Sequence, residues 1–110
     1  MISLNTLDEY RVLVDSTPAI LCYFSTSTCR VCKVLKPKVL DLISEHFPEM
    51  KAAWIDIERA PLVAGQQSIF TAPTILVYFK GKETLRKSRN ISIAELEREI
   101  GRIYGLLFKK

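Results

Sequence analysis

Ala19 to Pro37, AILCYFSTSTCRVCKVLKP, constrains this chain more than any other stretch. Ala19 to Phe24 is an unbroken run of apolar, β-branched and aromatic residues. It is too short to span a membrane and typical of a strand buried on both faces. Ser25, Thr26, Ser27 and Thr28 end the run with loop and cap chemistry. Thr28 is placed to cap the helix that follows. Val31, Val34 and Leu35 recur at helical spacing, so Cys29 and Cys32 are expected in its first turn.

That placement gives the cysteines a chemistry. Residues three apart share a helix face, so the two sulfurs can close a disulfide with little backbone movement. Free N–H groups and the positive end of the helix dipole stabilise a thiolate at a helix N-terminus. Arg30 and Lys33 add two cations, and no acid lies between Asp15 and Asp41. The expected ionisation of Cys29 is therefore shifted down from that of an ordinary thiol. A Cys-x-x-Cys is also half of a zinc site, but a tetrahedral site needs four ligands. The chain offers only Cys22, Cys29, Cys32 and His46. Cys22 lies in the strand run, and His46 falls several helical turns beyond the pair. A metal or iron–sulfur cluster shared between two copies is the competing arrangement. In a strand–helix setting a redox-active Cys29–Cys32 pair is the reading taken, with no metal and no organic cofactor.

A length of 110 residues fits one domain, residues 1–110, with a core that needs no staples. Three cysteines are too few for a disulfide framework. MISLNTLDEYRVL has early acids and no basic or long apolar region, so no signal peptide is expected. No stretch reaches the ~18 apolar residues of a membrane helix. A reducing, cytoplasmic setting follows, in which a Cys-x-x-Cys rests mainly as dithiol and acts catalytically. The net charge is +4, but the basic residues, Lys109 and Lys110 among them, are spread along the chain without interleaved aromatics. Nucleic-acid binding is therefore not expected.

The remaining pattern alternates. Ile2 to Leu4 is a short edge strand. Asn5 with Asp8 opens a first helix, which runs to about Asp15 and is broken by Thr17-Pro18. The Cys-x-x-Cys helix continues to about Phe47, with Pro37 inside it as a kink. Lys51 to Ile57 is a strand, Leu62 to Gln67 a short helix, and Thr71-Ala72-Pro73 a turn. Thr74 to Phe79 is the strongest strand signal. Gly81 turns it into a partner at about Glu83 to Ser88. Ser92 with Glu95 forms a capping box for the last helix, whose apolar stripe is Ile93, Leu96, Ile100, Ile103, Tyr104 and Leu107. The order β-α-β-α-β-α-β-β-α predicts an α/β fold, a central mixed sheet with helices on both faces.

At this point the sequence resembles the thioredoxin family along essentially its whole length. The resemblance rests on Phe24 in the strand before the motif, Cys29 and Cys32, Lys33, Pro37, the IDIERAP segment from Ile55 to Pro61, Ala72-Pro73-Thr74, and the hairpin at Gly81. It implies a thioredoxin fold with a mixed five-stranded sheet. It also implies that the bond before Pro73 is cis and that the backbone of Ala72 pairs with an extended substrate beside Cys29. Thr28, Arg30, Val31, Ala72, Pro73 and Arg89 are then the substrate-facing residues.

The departures are specific. Thioredoxins usually read Trp-Cys-Gly-Pro-Cys, where this chain has Thr28-Cys29-Arg30-Val31-Cys32. The family's buried Asp falls at Tyr23 and its Lys partner at Trp54, replacing an ion pair with two aromatics packed together. Cys32 is thereby left without an obvious general base, with Asp56 and Glu58 as distant candidates. A family Gly near the groove falls at Arg89. Cys22 is expected as inert core, and His46 at the surface near the helix end.

The resemblance implies a protein-disulfide reductase acting by dithiol exchange through Cys29 and Cys32. Its partners would be protein disulfides and a thioredoxin reductase-type electron donor, and the chain would be a monomer or weak dimer. The alternative is a thioredoxin-fold binding, adaptor or redox-sensing module with little turnover, motivated by Thr28, Tyr23, Trp54 and Arg89.

Overall fold

The protein is described by a computed structural model covering residues 1–108, so Lys109 and Lys110 lie outside the described residues. Nine elements follow one another: β1 (Ile2–Ser3), α1 (Leu7–Ser16), β2 (Ala19–Ser25), α2 (Arg30–His46), β3 (Lys51–Asp56), α3 (Pro61–Gln66), β4 (Thr74–Phe79), β5 (Lys82–Ser88) and α4 (Ile93–Leu107). The strands form one sheet in the order β1-β3-β2-β4-β5. β3 runs parallel to β1 and β2, whereas β4 is antiparallel to β2 and β5. This is the mixed five-stranded sheet the sequence predicts.

β2 and β4 are adjacent central strands, and every residue of both is buried. Their unbroken hydrophobic runs have that cause, since helices cover both faces. Successive side chains alternate between the two layers. Ala19, Leu21 and Tyr23 pack with Leu35, Val39, Leu96 and Ile100 under α2 and α4. Ile20, Cys22 and Phe24 pack with Tyr10, Val14 and Val63 under α1 and α3. The two cores share a sheet and nothing else.

Local chemistry moves several boundaries by one residue. α1 is capped by Thr6, not Asn5: its side chain accepts the Glu9 N–H at 3.1 Å. Glu9, not Asp8, completes the box, taking the N–H of Asn5 at 2.9 Å and of Thr6 at 3.1 Å. At α4 only half the expected box forms. Ser92 accepts the Glu95 N–H at 3.2 Å. The Glu95 carboxylate turns away to Lys87 on β5, at 2.7 Å, because an ammonium is a stronger partner than a backbone amide. Pro37 lies within α2, where it lacks the N–H that would meet the Lys33 carbonyl. Lys80 and Gly81, both with positive φ, form the two-residue turn between β4 and β5 that matches the twist of a hairpin. Among the described residues no helix is long and apolar enough to cross a membrane.

Candidate active site

β2 delivers the chain to the sheet edge at Ser25, and α2 starts five residues later, so Cys29 and Cys32 stand above the end of the central strand. Thr28 does not cap α2, contrary to the sequence expectation. Cys29 is itself the N-cap, in extended conformation, and its Sγ accepts the Cys32 N–H at 3.1 Å. The preference of caps for small acceptors is met here by a sulfur. Cys29 therefore sits just before the helix rather than in its first turn. An orphan amide points straight at its sulfur, an arrangement that favours the thiolate.

Cys29 and Cys32 are joined as a disulfide with their Cα atoms 5.2 Å apart. Cys29 is half-buried, while Cys32 is only 2% exposed. No carboxylate occupies the first turn of α2. Arg30, Lys33 and Lys36 make this end of the helix cationic.

Beneath Cys32, Tyr23 and Trp54 are neighbours in the β2–β3 register. They do not meet ring to ring as the sequence suggested, and each has a separate partner. The Tyr23 hydroxyl donates to the Cys32 carbonyl oxygen at 2.7 Å. Burial pushes that phenol up to about 12. Trp54 donates its Nε1–H to the Ser25 hydroxyl at 2.6 Å. Its ring carries Lys36, whose Nζ lies 4.2 Å from the ring centroid. The sequence marked both aromatics but gave no sign of Ser25 and Lys36 as their partners, because those contacts join three separate elements.

The substrate-facing candidates are scattered around the pair. Arg30 and Val31 are exposed, and with Val34, Leu35 and Lys38 they line an apolar groove of about 360 Å3. Val31 and Arg89 share a second groove with Leu35 and Ile91. The Ala72–Pro73 peptide bond is cis, Pro73 is buried, and its carbonyl accepts the Arg89 N–H at 2.9 Å. Half-buried Ala72 packs against the same core layer as Cys29. Thr28 is exposed in the loop before the pair.

Metal ligation has no geometric support among the described residues, where no group of three His, Cys, Asp or Glu side chains is placed to hold an ion. Cys22 is buried on the opposite sheet face, and burial pushes its thiol up to about 12. His46 ends α2, roughly 25 Å from Cys29 at 1.5 Å per helical residue, and faces Glu97 at 3.9 Å.

The family model described as thioredoxin matches residues 2–102. The chain belongs to the thioredoxin family. The thioredoxin-like protein YdfQ of Bacillus subtilis is 34% identical over 84 residues, covering 76% of this chain and 74% of the relative. Among solved structures, Fasciola hepatica thioredoxin superposes with a TM-score of 0.83 at 28% identity, covering 93% of this chain and 98% of that one. Oxidised mitochondrial thioredoxin 3 from Saccharomyces cerevisiae gives a TM-score of 0.84 over 93% of this chain and 94% of its own, at 22% identity, which speaks for the fold alone. As a thioredoxin with its Cys-x-x-Cys in place, the chain is a thiol–disulfide oxidoreductase of the protein-disulfide reductase class.

Proposed function

We propose that Cys29 is the nucleophile and Cys32 the resolving cysteine of this thioredoxin, acting on protein disulfides. The asymmetry of the pair supports this order: Cys29 is reachable from solvent and accepts an amide N–H, and Cys32 is buried. The Cys29 thiolate attacks one sulfur of the substrate disulfide, and the substrate's other sulfur leaves as thiolate. Cys32 then attacks Cys29 Sγ, releases the second substrate sulfur and closes the Cys29–Cys32 bond. A two-electron donor of the thioredoxin reductase type returns the pair to dithiol. The chemistry needs no metal or organic cofactor.

Substrate lies across Val31, Ala72 and Pro73, flanked by Thr28, Arg30 and Arg89. The support is the exposure of Val31, the grooves beside it, and the backbone of Ala72, which no other group takes among the described residues. The chain works as one domain, monomeric or weakly dimeric, in the cytoplasm, where it serves redox balance and electron transport.

The test is a pair of variants assayed on a protein disulfide. Cys29→Ser is expected to abolish reduction, and Cys32→Ser to accumulate a covalent mixed disulfide, seen as added mass. Full activity in Cys29→Ser sinks the assignment.

A further inference from the structure

Behind the disulfide lies a cavity of about 190 Å3, lined by Ser25, Ser27, Cys32, Lys36, Trp54 and Asp56 among others. It has several times the volume of a water molecule and enough polar groups to hold one. Asp56 ends β3 and lines this space beside Trp54, two residues back on the same face of the strand.

Resolution requires Cys32 to lose its proton before it can attack. The groups around the cavity leave one side chain basic enough to hold that proton. Tyr23 spends its hydroxyl proton on the Cys32 carbonyl, and Trp54 is a donor held by Ser25. Lys33 and Lys36 enter from α2 as ammonium donors. Glu58 is turned to Ser27, whose hydroxyl it meets at 3.1 Å, and it does not line the cavity. Asp56 is the only carboxylate in the lining. Its Oδ1 accepts the Glu58 N–H at 3.0 Å, which fixes the side chain, and Oδ2 has no hydrogen-bond partner among the described residues.

We propose that Asp56 takes the proton of the Cys32 thiol through a water in this cavity, with Lys36 and Trp54 shaping the relay. In the balanced step the S–H proton passes to the carboxylate. The Cys32 sulfur forms a bond to Cys29 Sγ, and the Cys29–substrate S–S bond breaks. The departing substrate thiolate takes up a proton from solvent or from Asp56. The inference rests on the roles proposed above for Cys29 and Cys32. The charged groups facing Asp56 are Lys33 and Lys36 from α2. Cys32, Ser25, Thr26 and Ser27 complete the wall without charge.

The experiment mixes the reduced protein rapidly with the aromatic disulfide 5,5′-dithiobis(2-nitrobenzoate). The first coloured thiolate reports attack by Cys29, and the second reports attack by Cys32 on the mixed disulfide. Wild type, Asp56→Asn, Asp56→Glu and Lys36→Met are compared between about pH 6 and pH 10. A relay through water falls short of the roughly 10²–10⁴-fold of a directly positioned base. Asp56→Asn is therefore expected to slow the second phase about tenfold near pH 7 and to leave the first phase unchanged. The deficit narrows as the pH rises through the alkaline range, where the Cys32 thiol ionises without the carboxylate. Asp56→Glu recovers most of the rate. A second phase equal to wild type in Asp56→Asn overturns the inference. So does a slowing that is the same at every pH, or a pH-dependent loss seen only in Lys36→Met. Absence of the first phase from wild type instead overturns the assignment of Cys29, and this inference with it.

Discussion

Arg89 holds a φ of 63°, where an L side chain crowds its own backbone and where glycine is at ease. Its N–H on the Pro73 carbonyl keeps it there, at the joint between β5 and α4. Arg89→Gly is expected to raise stability by about 0.5–1 kcal/mol in denaturant unfolding, the relief of left-handed strain outweighing the added freedom of the unfolded chain, while removing a cation from the groove beside Val31. Cys22 makes the opposite case, a reactive atom silenced by position. Its folded value of about 12 lies above that of a free thiol. The linked stability is therefore present below the unfolded thiol's value and declines as pH rises toward the folded one. Native reduced protein treated with iodoacetamide is expected to be modified at Cys29 and spared at Cys22, and Cys22→Ala to lessen the alkaline slope of stability, to which the buried tyrosines and Lys87 also contribute. Labelling of Cys22 at the native rate of Cys29 would contradict its burial.

At the scale of elements, the helix ends carry chemistry that propensity alone does not. The reciprocal bonds of Thr6 and Glu9 close α1, and Thr6→Ala should cost about 1 kcal/mol. The N–H groups of Asn5 and then Thr6 hold the Glu9 carboxyl below its ordinary value. Its contribution is thus present above the unfolded carboxyl's value and lost as pH falls through the folded one. Lys87 joins β5 to α4 through Glu95 at 2.7 Å and Glu99 at 2.8 Å. Glu95 first, then Glu99, raises the Lys87 ammonium, and Lys87 in turn lowers the Glu95 carboxyl. The lysine's share is complete below its unfolded value and lost as pH rises through the folded one. Lys87→Met is expected to lower the melting temperature across the plateau between about pH 5 and pH 9, with the difference from wild type shrinking at both extremes.

At the scale of the whole molecule, two cores back one sheet, and the strands β2, β3 and β4 supply alternate side chains to both. Neither layer can lose its helices without exposing β2 and β4. One cooperative transition is therefore expected, with far-ultraviolet circular dichroism and Trp54 fluorescence changing together. Trp54 is the only tryptophan, so its signal has one source. Transitions that separate by probe would divide the chain into independently folding parts. The cationic N-terminal half of α2, free of acids before Asp41, sets the field in which the cysteines work.

The fold was legible in the sequence because its signals are periodic and local. Two strands buried on both faces read as unbroken apolar runs, and Gly81 falls where the hairpin turns. The cysteine pair was legible because three-residue spacing at a strand–helix junction has few other uses. What remained hidden depends on which polar atom wins a contested partner. Thr6 over Asn5, Lys87 over the cap for Glu95, and Cys29 as its own helix cap are decided by which groups the packed elements bring within hydrogen-bond reach. The cavity that joins Cys32 to Asp56 was hidden for a stronger reason. Ser25, Cys32, Lys36 and Asp56 come from β2, α2 and β3, and no spacing along one chain encodes where three elements leave a space. Sequence determined the layers and the reacting sulfurs, because burial and periodicity act residue by residue. Tertiary structure alone decided what surrounds those sulfurs, because that environment is a property of how the elements pack.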